Sequence, residues 1–294
     1  MSGRPMSARL VVGGAAPALE SAPSLRVAVL GVGLLGPGLP SWAAGRAVLT
    51  GRETFVESPA VLVPPARLPP AERRRAGASI RLAMAVADEA LAASPVDPRH
   101  LATVFASSGG EGLNCHALCE ALAGTDRGVS PTRFTNSVHN AAAGYWHIAV
   151  QSQAASTSLS AYDGSFAAGL LEAATQIQTH GAPVLFVACD VPYPPPLHAL
   201  RPLRHPMGLA LLLGPADAAG ALASLGIALA GGEDKPTPTR CSDAGIDALR
   251  TGVPAGAALP LLEALARGHG EALVIDYLPA LKLRLDLAIL GARP

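Results

Sequence analysis

The chain is predicted to fold as an α/β protein, with a sheet covered by helices on both faces. Three observations predict this. Short runs rich in Val, Leu and Ile alternate with longer segments of helical period. The runs are continuously apolar, without the alternation of strands wetted on one side. The chain has 294 residues, 50% of them hydrophobic and 15% charged, enough to bury a full core in one large domain or two small ones.

The elements follow in order. Leu25 to Val32 is an apolar run that exits through Gly33, Gly36, Pro37 and Gly38, and reads as a buried first strand. Pro37 and Pro40 argue against a helix directly behind it, so these glycines are no dinucleotide fingerprint. Residues 52–70 hold five prolines and form a surface connection. Pro70 and Ala71 open a long helix with an apolar stripe at Ile80, Met84, Ala87 and Leu91, and a basic run, Arg73 to Arg75, near its start. Leu101 to Ala106 is a second strand that ends in the glycine-rich loop Ser107 to Gly112, which has neither lysine nor Walker spacing. A helix follows at about 113–124. Another runs from about Val138, with small residues at Ala141 to Gly144 and then large ones at Tyr145, Trp146 and Ile148. Thr157 to Ala161 is a third strand; it turns at Tyr162-Asp163-Gly164 into a helix from Ser165 that is apolar nearly all round at its start, as for a helix buried between layers. Pro183 to Cys189 is a fourth strand, and Leu209–Leu213, Leu222–Leu229 and Ala272–Tyr277 supply three more, with a helix near 259–267 before the last.

Composition excludes several classes. Net charge is zero, the pI is about 7.1 and aromatics are 4%, which argues against a nucleic-acid or membrane-surface protein. The apolar stretch 207–232 is broken by Pro215, Asp217 and glycines and reads as strand, turn and strand, not a membrane span. Cys115 and Cys119 flank His116, but no second ligand pair follows, so the four cysteines read as ordinary, partly buried thiols. No metal and no cofactor is implied. The first two dozen residues lack a basic-then-apolar signal and read as a disordered leader, 1–24, on a cytoplasmic protein whose domain spans 25–294.

A strand that turns sharply into a buried helix is a natural seat for a nucleophile, because the helix N-terminus offers free N–H groups and a positive dipole end. A cysteine there would be a thiolate at neutral pH and would attack thioesters. No cysteine occurs from Gln151 to Thr179. Tyr162 carries a phenol that is neutral near pH 7. Asp163 is a poor nucleophile and reads as the N-cap of the helix. Ser160 and Ser165 lack a Gly-x-Ser-x-Gly frame.

Thr132 to Glu172 resembles the N-terminal half of the β-ketoacyl synthases of the thiolase superfamily. The runs Asn136 to Trp146, Ala161 to Ala173 and Asp190 to Pro194 are similar to one subgroup, the short ketosynthase-like proteins of aryl polyene gene clusters that act as chain-length factors. The resemblance spans about residues 25–290. It implies a thiolase-like layered αβαβα fold, with an N-terminal half to about 205 and a trimmed C-terminal half from 206 to 294. It places the family nucleophile position at Tyr162 or Asp163, where no sulfur stands. Of the later histidines, His180, His198, His205 and His269, none falls in a recognisable decarboxylation motif.

The resemblance therefore implies a non-catalytic partner of an active β-ketoacyl synthase. It would pair through helix 138–150 and strand 156–161, continuing the sheet across a pseudo-two-fold axis, and would meet an acyl carrier protein through the complex. The residues expected at the tunnel wall or partner interface are Phe134, Asn136, His139, Asn140, Gly144, Tyr145, Trp146, Tyr162 and Phe166. His139 reads as a structural histidine at that contact. The basic run at Arg73–Arg75 reads as a solvated turn or as a carrier-protein patch. The isolated chain could pair with itself. The alternative is an acyl-thioester hydrolase or acyltransferase on the same fold, using a serine or Asp163.

Overall fold

The computed structural model describes residues 25–231 and 236–290; the expected leader, 1–24, lies outside them. The strands are β1 (Leu25–Leu35), β2 (Ala102–Ala106), β3 (Ser156–Leu159), β4 (Val184–Asp190), β5 (Met207–Pro215), β6 (Ala223–Gly231), β7 (Ala272–Leu278) and β8 (Leu281–Ile289). The helices are α1 (Trp42–Leu49), α2 (Pro70–Arg75), α3 (Ala78–Leu91), α4 (Gly112–Ala123), α5 (Pro131–Asn136), α6 (Ala141–Val150), α7 (Ser165–His180), α8 (Leu197–Leu200), α9 (Ala244–Gly252) and α10 (Leu259–Arg267). The strands form one mixed sheet in the order β3-β2-β4-β5-β1-β6-β8-β7. β2 runs parallel to β3 and β4, and the remaining neighbours are antiparallel. The fold is α/β, as predicted. The boundary expected near 205 falls just before β5, which pairs with β4 along its length, so both halves build the same sheet.

Two apolar cores lie on either side of this sheet. One holds α3 and α6, with Ile80, Met84 and Trp146 buried against β4 and β5. The other holds α7, α9 and α10, with Phe166, Leu170 and Leu262 buried. Close approach on both faces depends on missing side chains. A Cβ on Gly33 of β1 would stand 2.0 Å from the Val86 carbonyl of α3, and one on Gly169 of α7 would stand 2.4 Å from the Phe186 ring. The far end of the sheet bends back, so that α7 touches β7 as well as β1, β2 and β4. This is why its first turns are apolar all round: it lies between two parts of one sheet. β8 alternates, with Leu283, Leu285 and Leu287 buried and Arg284 and Asp286 exposed. Its outward face is polar and stable in water without a covering layer.

Several expectations need correction. A helix, α1, does follow the first strand despite Pro37 and Pro40. Its N-terminus is held from α3 by Glu89, whose carboxylate accepts from Leu34 N at 2.9 Å, Trp42 N at 2.8 Å and Ala43 N at 3.2 Å. The long helix from Pro70 is two helices. They part at Gly77, where the buried Glu111 carboxylate accepts from Ser79 N at 3.1 Å and Ser79 Oγ at 2.6 Å and so caps α3. The helix expected from Val138 starts at Ala141 and is preceded by the unforeseen α5. α9 and β8 were also unforeseen, and β8 breaks the rule of continuous apolar strands. Cys115 and Cys119 are exposed on α4, while Cys189 and Cys241 are buried. No helix among the described residues is long and apolar enough to cross a membrane.

Gly33→Val is expected to destabilise the fold by about 3 kcal/mol in urea titration, since α3 must move off the sheet. Gly144→Ala, where an added Cβ meets nothing within 4 Å, is expected to be neutral or to raise stability by about 0.5–1 kcal/mol.

Candidate functional site

The ends of β2, β3 and β4 converge on one rim, the side of an open α/β sheet where sites form. On this rim the edge strand β3 turns into α7. Tyr162 takes a left-handed backbone, φ +54°, and opens a single 3₁₀ turn over 162–164. That conformation costs a bulky residue on the order of 1–2 kcal/mol. Local bonds hold it: Gly164 N donates to Ala161 O at 2.9 Å, and Ser165 Oγ donates to Tyr162 O at 2.7 Å while accepting from Ala161 N at 3.0 Å. Gly164 leaves no room for a side chain, because its Cβ would stand 2.4 Å from the Tyr277 carbonyl.

The Tyr162 side chain points out and is 63% exposed. The Arg201 guanidinium lies over its ring, 3.4 Å from the centroid, and donates to Asp163 Oδ1 at 2.6 Å. Asp163 is thus an ion-pair partner of Arg201, and Gly164, not Asp163, is the N-cap of α7, without a side-chain cap bond. Beside this turn runs a groove of about 550 Å³, lined by Tyr162, Val253, Pro254, Ile275, Tyr277 and Lys282 among others.

Asp190 organises the rest of the rim. Its buried carboxylate accepts from Ser108 N at 2.7 Å, Ser108 Oγ at 2.6 Å and Ala255 N at 2.9 Å. Burial pushes its carboxyl above the usual range, and those bonds pull the other way. Ser108 also meets the Tyr193 hydroxyl at 3.1 Å, and its carbonyl accepts from Ser160 Oγ at 3.2 Å.

No described cysteine serves this turn. Cys189 faces the core near the end of β4, and burial pushes its thiol above the normal range, with Asp190 and Glu111 adding to the effect. Cys241 is raised for the same first reason. The alternative nucleophiles are engaged too: Ser165 Oγ is buried in backbone bonds, and Asp163 is paired.

The chain matches the model of the β-ketoacyl synthase N-terminal domain over residues 48–245. It belongs to that family. No curated protein matches it. Among solved structures, a chain of the ketosynthase ApeO in complex with its chain length factor ApeC from Xenorhabdus doucetiae is 24% identical, with TM-score 0.67, covering 89% of this chain and 99% of that one. The ishigamide ketosynthase/chain length factor is 15% identical, with TM-score 0.69, covering 90% of this chain and 99% of that one. The type II polyketide complex AntDE:AntF, an acyl-carrier protein with its ketosynthase bound to the hexaketide, is 14% identical, with TM-score 0.69 and the same coverage. At these identities the likeness shows the fold: the chain has a ketosynthase-like fold of the kind found in chain length factor complexes.

On this ketosynthase-family frame the expected residues separate into two groups. His139, Asn140 and Gly144 come together with His147, Ser156 and Ser158 around a shallow cavity of about 450 Å³ beside the β3 edge. Phe134 on α5 is 64% exposed. Trp146 and Phe166 are fully buried in the two separate cores, so neither reaches the surface. Tyr145 is buried, and its hydroxyl donates to Asn136 Oδ1 at 3.0 Å, while Asn136 Nδ2 donates to Arg75 O at 2.9 Å. His139 Nε2 lies 3.1 Å from Ser107 O. Arg73 is spent on the Ala66 and Leu68 carbonyls, and Arg75 on Glu72.

The sequence reading missed two features. His147 faces the edge cavity. α4 buries none of its residues and exposes Leu113 and Leu122. The run Gly112–Ala123, with Leu113 and Leu122 among small and polar residues and no clean apolar stripe, is the signal that could have marked it.

Asp190→Ala leaves the Ser108 and Ala255 amides without an acceptor. It is expected to cost about 2–5 kcal/mol in equilibrium unfolding, whereas Arg201→Ala, which removes the cation stacked on Tyr162 and its pair with the exposed Asp163, is expected to cost about 1 kcal/mol.

Proposed function

We propose that this chain is a non-catalytic ketosynthase-like subunit of the chain-length-factor type. It pairs with an active β-ketoacyl synthase and shapes that enzyme's acyl tunnel during synthesis of an aryl polyene or a related fatty-acid-like polyketide. The observation that carries the reading is the elbow itself: a tyrosine stands at the strained head of α7, under a stacked arginine, with no thiol in reach. Decarboxylative condensation needs a nucleophile to hold the growing acyl chain and donors to stabilise the enolate from the malonyl unit. A neutral phenol answers neither need at pH 7.

The outer surface supports a pairing role. β3 is a sheet edge joined to β2 alone, and an unpaired edge is a template for another strand. Next to it α6 exposes Gly144 and Ile148. Small side chains let a second backbone approach, and Ile148 supplies apolar area. The ketosynthase–chain length factor complexes of similar fold point the same way. An acyl carrier protein would be met through the assembled pair, by analogy with the acyl-carrier protein that sits with its ketosynthase in AntDE:AntF. Of the bulky residues expected at the tunnel wall, Phe134 and Tyr162 are the exposed ones, and wall control of product length is steric.

The test is co-expression with an active β-ketoacyl synthase of the kind found in ketosynthase–chain length factor complexes. The expected result is a one-to-one complex that elongates malonyl thioesters, with no condensation by this chain alone. Phe134→Ala is expected to lengthen the product. Ile148→Glu is expected to weaken pairing by about a hundredfold, which is about 2.7 kcal/mol, without lowering the stability of the isolated chain. Elongation by the isolated chain, or failure to bind the ketosynthase, would overturn the reading.

A further inference from the structure

We propose that Cys115 and Cys119 form a dithiol clamp for a soft metal or metalloid centre that takes two sulfur ligands, of the class of trivalent arsenic. The two thiols stand four residues apart on α4, on one face and one turn from each other. The sequence predicts partly buried thiols; both are instead exposed, on a helix that buries none of its residues. The two groups also act on each other. The Cys115 thiol is held above its ordinary range, first by partial desolvation and then by Cys119. The inference is independent of the pairing proposed above.

Spacing decides which bonds the pair can make. Cβ atoms four residues apart on a helix are about 5–6 Å from each other, whereas a disulfide needs about 3.5–4.5 Å. A direct S–S bond is therefore closed to the pair while α4 stays helical. One bridging atom removes the mismatch, because it puts two bonds of about 2.3 Å where a disulfide has one of about 2.0 Å.

The surroundings select the centre. Thiolates favour soft ions. Structural zinc takes four protein ligands, and no group of three or more His, Cys, Asp and Glu able to hold a metal occurs among the described residues. His116 is engaged with Glu120, 3.3 Å from its carboxylate. A centre satisfied by two sulfurs is what the helix can hold. Cys189 and Cys241 do not compete, since both are buried and burial pushes both thiols up. A bridge across one turn also staples α4, which has no buried side chain to hold its turns closed, and so slows its local opening.

The probe is phenylarsine oxide, added to the full chain with its thiols reduced. Arsenic forms two As–S bonds, the two thiol protons leave with the arsenic-bound oxygen as water, and no electron is transferred. The expected result in native mass spectrometry is one adduct per folded chain, heavier by the reagent less one water and reversed by excess 1,2-ethanedithiol. Hydrogen exchange is expected to slow over residues 112–123. Cys115→Ser and Cys119→Ser are each expected to weaken binding by about a hundredfold or more, because ring closure is lost. Both positions are exposed, so neither variant threatens the fold. Absence of an adduct, undiminished affinity in either single variant, or an adduct retained by the double variant would overturn the inference. So would a Cys115–Cys119 disulfide formed under diamide with the α4 amides still protected, since the intact helix would then admit the direct bond.

Discussion

One buried carboxylate ties together the loops of the rim. Asp190 ends β4, and its two oxygens take the Ser108 amide and hydroxyl from the loop after β2 and the Ala255 amide from the turn ahead of α10. Through Ser108 the same acid steers Tyr193 and Ser160. Loops from both halves of the chain therefore meet at a single side chain. Burial alone pushes the carboxyl above its usual range, and the three donors pull against that effect. The loops of the rim are thereby cross-linked through one buried side chain.

How much of this was legible in the sequence depends on where each element gets its stability. β1, β4, β5 and α7 carry their own signal, because their burial is written in uninterrupted apolar residues. α1 carries half of one, since Ser41 is a local N-cap that accepts from Ala44 N at 3.1 Å, but Glu89 and Glu111 close the rest of the α1 N-terminus and the start of α3 from 47 and 32 residues away. No local window contains such caps. α5 and α9 were within reach, since Ser130 before Pro131 and Asp243 are ordinary start signals whose side chains accept the expected amides. β8 was readable from its strict alternation.

The site was legible in its turn but not in its walls. Tyr162-Asp163-Gly164 marked the elbow, and the backbone sign at Tyr162 agrees with a sharp strand-to-helix turn. The aromatic residues were harder to place. α6 is apolar nearly all round, so its periodicity does not say which face is buried, and Trp146 turns inward while Ile148 turns outward. Phe134 stays outside because α5 packs on α4, itself a helix with no buried residue. Burial is a property of the neighbours, and those come from elsewhere in the chain.

The strained turn at Tyr162 follows from topology together with the local bonds of Gly164 and Ser165. α7 is pinned at Gly164 against the Tyr277 carbonyl and at Gly169 against Phe186, so β3 has one turn in which to reach it. That geometry forces a left-handed residue at position 162 and thrusts its side chain outward, whatever the residue is. A thiol in that place would meet the helix N-terminus and become a nucleophile. A phenol in the same place becomes a surface, steadied by Arg201 and Asp163. Replacing one by the other leaves the sheet, the helix and the open β3 edge intact. The elbow geometry is thus set by the packing of α7, and with Tyr162 at its head it presents an exposed ring under a guanidinium.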